Sequence, residues 1–267
     1  RSRQYPYEYI FQEILPGIGL SSTNHKIVKV KFNGVDWGYM DMQEHISSIM
    51  LEKNKLKDSL VVNFNDEIYQ YEYIKKHQSP YGMEKYWLSH PRLFFDLSGK
   101  SVKDLSIQEK NYLSYIYNSL LLDDYQEILF SKSHLRNLLE ISKIWGNFHA
   151  AAIGNVRYYF NPYTLKLEPL MSDQGPFQYL DKDSDSLKIF SLGLLETSNI
   201  GENKRIRSKI INLLKERSPY KLSEELFPYD LRLNLKIPLQ NYDLLEKIRF
   251  QDNFKAIKEN EKYSEKI

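Results

Sequence analysis

WGNFHAAAIGNVRYYFNPYTLKLEPLMSDQGPF, at residues 145–177, contains in order the end of a helix, a loop, a hairpin and an acidic loop. Apolar residues recur at spacings of three and four in the residues that precede this stretch and in its first residues. This spacing predicts a helix with Ser133 as its N-cap and Gly154 at its end. Such a stripe places one face of the helix against a core. The residues of the stripe are Leu135, Leu138, Leu139, Ile141, Trp145, Phe148 and Ala152.

A hairpin is predicted directly after this helix. Residues 156–160 alternate between apolar and more polar positions, as a half-buried strand does. Residues 161–164, Asn-Pro-Tyr-Thr, have turn chemistry because proline presets φ and asparagine bonds the backbone ahead of it. Leu165 to Leu167 is the predicted returning strand. Because a hairpin brings its two ends together, we expect Asp173 to lie close to Asn155.

The motifs between residues 149 and 173 resemble the core of the CotH family, the spore-coat kinases and their relatives. Residues 30–44, VKFNGVDWGYMDMQE, resemble a second motif of that family, in which an Asn-Gly turn is followed by a glycine, a tyrosine and a glutamate. The two motifs lie in the order that the family has. The residues that carry the first motif are His149, Gly154, Asn155, Arg157 to Pro162, Leu167 to Pro169 and Asp173.

The resemblance implies an α+β fold of the protein-kinase type with two lobes. It also implies ATP and Mg²⁺ or Mn²⁺ as cofactors, and a protein substrate whose hydroxyl accepts the γ-phosphate. Asp173 matches the metal-binding aspartate of the family, and Asn155 matches the asparagine that assists it. Better-known members have an aspartate where this chain has His149. Since histidine accepts a proton near neutral pH, His149 takes the catalytic position in this interpretation.

Two other functions remain open at this point. Because the catalytic aspartate is replaced, the chain is also compatible with a catalytically silent kinase-like fold that acts as a binding or surface-interaction module. A hydrolase with His149 and Asp173 as a dyad is a third interpretation, but neither a serine elbow nor a cysteine nucleophile accompanies that pair. Metal-dependent nucleotide binding distinguishes the kinase from the binding module.

The resemblance divides the chain into two lobes. Residues 1–44 are predicted to be the remainder of the small lobe with the hinge, and residues 45–267 the mainly helical large lobe. The first part of the small lobe is expected to lie upstream of Arg1. In that arrangement, Glu8 or Glu13 on an early helix would pair with a lysine outside this sequence.

A second hairpin is predicted near the end of the small lobe. Apolar residues alternate with lysines from Ile27 to Phe32, and Asn33-Gly34 is a strong turn signal. The chain is then predicted to enter a helix at Glu44. Met42 to Glu44 is the predicted hinge, which makes Met42 and Glu44 the candidate nucleotide-binding residues.

Composition excludes several classes of protein. The net charge of +2 is too small, and the lysines too evenly mixed with acids, to favour nucleic-acid binding. The absence of cysteine excludes disulfides and thiol chemistry. No apolar run approaches the roughly 18 residues that span a bilayer, so a soluble domain is expected. The six histidines have no zinc spacing. The compartment and the oligomeric state stay open.

Several other elements can be predicted from local patterns. Ser106 and Glu109 form a capping box at the start of a helix that runs to Leu122. A cluster of three aspartates lacks the glycine and the closing glutamate of a calcium loop, and predicts a solvated loop instead. The remaining predictions are a strand at Val61 to Phe64, helices at Ser186 to Leu195, Ile206 to Leu214 and from Tyr242, a wet helix surface at Arg205, Arg207 and Lys209, and the solvated loop at Asp181, Asp183 and Asp185.

Overall fold

A computed structural model describes residues 7–64, 75, 95–98, 100–151, 155–180, 200–217 and 235–247. This part of the chain contains helices and antiparallel sheets and is an α+β protein, as predicted. The helices are α1 (Tyr7–Ile14), α2 (Ser48–Lys53), α3 (Ile107–Leu120), α4 (Tyr125–Leu129), α5 (Lys132–Trp145), α6 (Ile200–Arg217) and α7 (236–247). The strands are β1 (His25–Phe32), β2 (Val35–Gln43), β3 (Val61–Phe64), β4 (Phe95–Leu97), β5 (Arg157–Asn161) and β6 (Lys166–Leu170). Short 3₁₀ turns lie at Pro16–Ile18, Val102–Asp104 and His149–Ala151.

The β1–β2 hairpin is confirmed, with its turn at Asn33-Gly34. Asn33 has φ 49° and Gly34 has φ 81°, the pair of positive values that a two-residue hairpin turn requires. One face of the hairpin is apolar and open to solvent. Its Phe32 and Trp37 side chains are 55% and 54% exposed, and their rings lie 5.1 Å apart.

Helix α2 begins at Ser48, so the prediction of a helix start at Glu44 was wrong. The backbone N–H of Glu44 donates to the Asn24 carbonyl at 2.8 Å, which continues the hairpin ladder by one residue past the end of β2. The N-cap of the helix is Ser47, whose hydroxyl accepts a hydrogen bond from Met50 N at 3.3 Å. Glu44 therefore lies in an extended connection between the hairpin and the helix.

The second sheet has the strand order β4-β3-β5-β6, and all of its pairs are antiparallel. The predicted strand at Val61 to Phe64 is confirmed as β3. The strand predicted at Leu165 to Leu167 starts one residue later and runs to Leu170, because Leu165 has φ 55° and belongs to the turn.

Strand β5 is buried on both faces, so its predicted half-buried alternation was wrong. Tyr158, Tyr159 and Phe160 are all buried. Tyr158 and Phe160 belong to the main core, whereas Tyr159 packs into a small cluster with Met50 and Leu51 of α2. A central strand that is covered on both faces has no solvent-exposed face, so its inward and outward positions do not alternate between buried and exposed.

Helix α5 contributes its predicted apolar stripe to the main core, but its predicted ends were wrong. The N-cap is Ser131 rather than Ser133, and the helix ends at Trp145. Gly146 follows with φ 68°, the left-handed conformation that terminates many helices. The predicted end, Gly154, lies outside the described residues.

The remaining sequence predictions have mixed outcomes. The capping box of Ser106 and Glu109 at the start of α3 is confirmed. The predicted Ile206 to Leu214 helix is part of α6. The helix predicted from Tyr242 corresponds to α7, which begins at residue 236 rather than at Tyr242. The Ser186 to Leu195 helix and the loop of Asp181, Asp183 and Asp185 lie outside the described residues. The division of the chain at residue 44 stays a prediction, although α1 shares the main core with α5 and α6.

Arg207 is buried, which corrects its prediction as part of a wet helix surface. Its side chain is 9% exposed and donates to the Glu140 carboxylate through Nε and to Glu246 Oε1 through Nη1, the latter at 3.3 Å. The spacing from Arg207 to the buried Ile210 and Leu214 places it on the inward face of α6. Arg205 and Lys209 are exposed, as predicted.

Within the part of the chain that the structure describes, no helix combines the length and the apolar character that crossing a membrane requires.

Replacing Arg207 with Leu is expected to lower the free energy of unfolding by about 1–3 kcal/mol, because the buried Glu140 carboxylate would keep its ion pair with Lys143, at 3.2 Å, but lose the one with Arg207. The matched control is Arg205→Leu on the exposed face of the same helix, which should change stability by less than about 0.5 kcal/mol. Urea denaturation of both variants measures the difference. Equal losses in the two variants would contradict the buried ion pair.

Glu109 should make stability pH-dependent in the acid range. Its hydrogen bonds from Lys100 Nζ and from Ser106 lower the pKa of the Glu109 carboxyl to about 2. Because that pKa lies below the ordinary value of 4.5, the stabilisation is complete above pH 4.5 and is lost as the pH falls toward 2. Glu109→Gln should therefore be less stable than the parent at pH 7, with the gap closing on acidification. A gap that is constant between pH 7 and pH 2 in urea titrations would refute this.

Candidate functional site

The loop after α5 is tied to the segment that follows β6. Trp145 Nε1 donates to the Gly175 carbonyl at 2.7 Å, and Asn147 Nδ2 donates to the Pro176 carbonyl at 3.1 Å. In the reverse direction, Gln174 Nε2 donates to the Asn147 carbonyl at 3.0 Å. These bonds hold two chain segments, about thirty residues apart in sequence, at a fixed separation.

Gly146 lies against the backbone of the second segment. A Cβ atom at this position would be 1.8 Å from the Gln178 carbonyl oxygen, closer than any side chain can come. The buried Asn241 of α7 connects the two segments, since its Nδ2 donates to the Ile144 carbonyl at 3.0 Å and to the Gln178 carbonyl at 2.8 Å. The end of α5 thus serves as the base on which the site is built.

His149 lies in a 3₁₀ turn two residues beyond Asn147. Its backbone N–H donates to Asn147 Oδ1 at 3.0 Å, which orients the turn. Its ring Nε2 lies 3.0 Å from Asp173 Oδ2, and the ring is 44% exposed. A solvent-accessible imidazole bonded to a carboxylate can exchange a proton with a bound molecule.

Asn155 is also bonded to His149. Its Nδ2 donates to the His149 carbonyl at 2.8 Å. His149 therefore contacts both Asn155, six residues later, and Asp173, 24 residues later. The structure brings the three predicted catalytic residues into one cluster.

Asp173 has an unusual backbone conformation. Its φ is 67°, in the left-handed region that residues other than glycine adopt only when their surroundings enforce it. Its side chain is 20% exposed. The neighbouring backbone N–H of Gln174 donates to the carboxylate of Glu8 on α1.

Glu8 is a residue of the site that the sequence interpretation assigned differently. Its side chain is 2% exposed, and burial raises the pKa of its carboxyl, while hydrogen bonds from Gln12 and Gln174 oppose that shift. Its partners lie within this chain, and Glu13 pairs with Arg217 at 3.3 Å. A signal was present in the sequence, because Glu8 and Gln12 lie one turn apart on the helix face that carries Phe11.

The two candidate nucleotide-binding residues lie elsewhere. Glu44 forms an ion pair with Lys53 and lines a polar cleft of about 570 Å³. His134 and Glu168 line the same cleft. Met42 is 51% exposed on the hairpin. His149, Asn155 and Asp173 are not among the residues that line this cleft, so the structure brings the three catalytic candidates together but does not bring Glu44 to them.

The cluster offers a limited set of metal ligands. Among the residues that the structure describes, no three His, Cys, Asp or Glu side chains converge as a metal site would require. Asp173 and Asn155 both carry oxygen ligands, which suit Mg²⁺. A divalent ion here would need phosphate oxygens and water to complete its coordination, as is usual for Mg²⁺ at phosphate sites.

No protein-family model matches this sequence, and a search of curated proteins found no match. The resemblance to CotH proteins accordingly depends on the motifs quoted above.

Gly146→Ala is expected to disrupt the base of the site. The left-handed φ should cost about 1–2 kcal/mol in any non-glycine residue, and the conflict with the Gln178 carbonyl should add about 1–3 kcal/mol. The control is Gly34→Ala, which has φ 81° but no atom within 4 Å of its Cβ position. The difference between the two variants in urea denaturation measures the steric contact alone. Equal destabilisation would show that Gly146 is needed only for its φ.

Proposed function

We propose that this chain is the catalytic part of an atypical protein kinase resembling the CotH family, which transfers the γ-phosphate of ATP to a protein hydroxyl with the help of Mg²⁺ or Mn²⁺. The observation that carries the proposal is the His149 cluster. A helix, a loop and a hairpin bring His149, Asn155 and Asp173 together from positions up to 24 residues apart. Phosphoryl transfer depends on this kind of positioning more than on covalent chemistry.

The order of elements gives further support. A helix, a hairpin and an extended connection precede the helical part of the chain, and the cluster follows α5. This is the order of a kinase-like small lobe, hinge and large lobe. On this proposal, residues 1–44 belong to the small lobe, and Met42 and Glu44 lie at the hinge beside the nucleotide.

Asp173 and Asn155 act as the metal ligands in this proposal. Because Asn155 Nδ2 donates to the His149 carbonyl, the amide oxygen is the atom that would face a cation. A divalent ion would neutralise charge on the transferred phosphate. The chain itself supplies the fixed positions of the two oxygen ligands.

His149 acts on the acceptor hydroxyl. Its Nε2 is hydrogen-bonded to Asp173 Oδ2, and its side chain is 44% exposed. With Nε2–H donated to the Asp173 carboxylate, Nδ1 is the ring nitrogen that would accept the hydroxyl proton as the phosphate is transferred.

A silent kinase-like binding module is the second candidate. The observation that favours it is the replacement of the family's catalytic aspartate by His149. Such a module would keep the fold and the cluster without turnover. Binding and transfer must therefore be measured separately.

Asp173→Asn is expected to weaken the binding of ATP with Mn²⁺ at least tenfold, because an amide is a poorer ligand for a divalent cation than a carboxylate. Isothermal titration calorimetry measures this affinity. Asp104→Asn, at an exposed acid remote in sequence, is the matched control and should bind as the parent does. Unchanged affinity in Asp173→Asn, or no binding of ATP with Mn²⁺ by the parent chain, would contradict a nucleotide role.

His149→Gln is expected to retain ATP binding but to slow phosphate transfer by about 100-fold or more, the usual contribution of a general base. Transfer of labelled γ-phosphate to protein measures this step, with the exposed His45→Gln as control. Nucleotide binding without any transfer by the parent chain would favour the silent module. Transfer that is unaffected by His149→Gln would remove His149 from the mechanism.

A further inference from the structure

Glu8 lies at the centre of a buried group of hydrogen-bond donors. Gln12 Nε2 donates to its Oε1 at 2.9 Å, and the backbone N–H of Gln174 donates to its Oε2. Its side chain is 2% exposed. A buried acceptor that satisfies the Gln174 N–H determines the direction of the peptide group between Asp173 and Gln174.

The site requires a carboxylate rather than an amide. Gln12 has no freedom to turn over, because its Nε2 also donates to the Met171 carbonyl at 2.9 Å and its Oε1 accepts from Thr23 N at 2.9 Å. An amide in place of the Glu8 carboxylate would direct its own N–H groups toward Gln12 Nε2 or the Gln174 N–H, both of which are hydrogen-bond donors. A buried donor without an acceptor is unfavourable, because it has lost its hydrogen bonds to water without replacing them.

Glu8 is also connected to the β1–β2 hairpin. His25 Nε2 lies 3.8 Å from Glu8 Oε1 and 2.9 Å from Thr23 Oγ1, and His25 Nδ1 lies 2.8 Å from Asp41 Oδ2. The His25 side chain is 2% exposed. Asp41 immediately precedes Met42, the start of the proposed hinge.

We infer that Glu8 is the positioning residue that holds the Asp173 carboxylate in place, and that His25 and Asp41 link this position to the hinge strand of the hairpin. The inference rests on the proposed role of Asp173 as a metal ligand. It assigns Glu8 to the backbone of the metal-binding turn, where its contacts are, and not to a lysine.

The left-handed backbone conformation of Asp173 is the reason that loss of Glu8 would affect the site. A φ of 67° is disfavoured for aspartate and persists only while its surroundings enforce it. Without the Glu8 acceptor, the Gln174 N–H loses its partner and the turn is free to relax. The carboxylate of Asp173 would then move away from Asn155 and His149.

The first experiment compares Glu8→Gln with Glu13→Gln in the full chain without ligand. Glu13 lies on the same helix but is 40% exposed, so it serves as the matched control. Hydrogen exchange followed by NMR should show at least tenfold faster exchange of the Asp173 and Gln174 amides in Glu8→Gln only. Amides in the middle of α5 should keep their rates, which separates a local effect from general destabilisation.

The second experiment measures the affinity for Mn²⁺ in the presence of ATP by calorimetry. Glu8→Gln should bind at least tenfold more weakly, and Glu13→Gln should bind as the parent does. Asp41→Asn touches neither Asp173 nor Gln174 and should increase the exchange of their amides by a smaller factor. No change in Asp41→Asn would overturn the link to the hairpin.

Parental exchange rates at Asp173 and Gln174 in Glu8→Gln would overturn the positioning role. Faster exchange with unchanged Mn²⁺ affinity would overturn it as well. If Glu8→Gln does not fold, Glu8→Asp keeps an acceptor shortened by one methylene and should give exchange rates above the parent's; parental rates there would refute the inference. A parent chain that binds no Mn²⁺ with ATP would defeat the proposed function, while the exchange data would still decide what Glu8 does to the turn.

Discussion

The contact between Gly146 and the Gln178 carbonyl is the constraint on which the rest of the site depends. Any residue other than glycine at position 146 would hold the two backbones further apart, because its Cβ would meet the Gln178 carbonyl. Because α5 stops there, the following loop runs beside residues 174–178 and exchanges side-chain to backbone hydrogen bonds with them. His149 and Asp173 reach each other only because these two segments are held together.

Behind the cluster lies a buried polar network, and such networks are costly unless every member is satisfied. Glu8, Gln12, Thr23 and His25 bond one another or the backbone, and they connect α1 and the hairpin to the turn at Asp173. An apolar core could hold these elements together equally well, but it could not determine the direction of a peptide group. The network therefore contributes position as well as stability, which the proposed role of Asp173 requires.

Elements set by local chemistry were predictable, and those set by packing were not. The Asn33-Gly34 turn and the capping box at Ser106 are encoded within four residues, so their patterns could be recognised directly. Strand β5 lost its predicted alternation because α2 covers its second face through Tyr159, a contact that nothing in its own sequence reveals. Arg207 was misjudged for the same reason, since its partner Glu140 lies on another helix.

By itself, the sequence determined the α+β class, the two hairpins, the stripe of α5 and the identity of the three clustered residues. The hairpins and the stripe follow from turn chemistry and periodicity, which act between near neighbours, whereas the fold class and the three residues were expected from the resemblance to the CotH motifs. Only the tertiary structure decided that His149 bonds both Asn155 and Asp173, and that Glu8 supports the turn from a distance of 166 residues in sequence. The direction of a buried hydrogen bond depends on which segments pack together, and spacing along the chain carries no record of that packing.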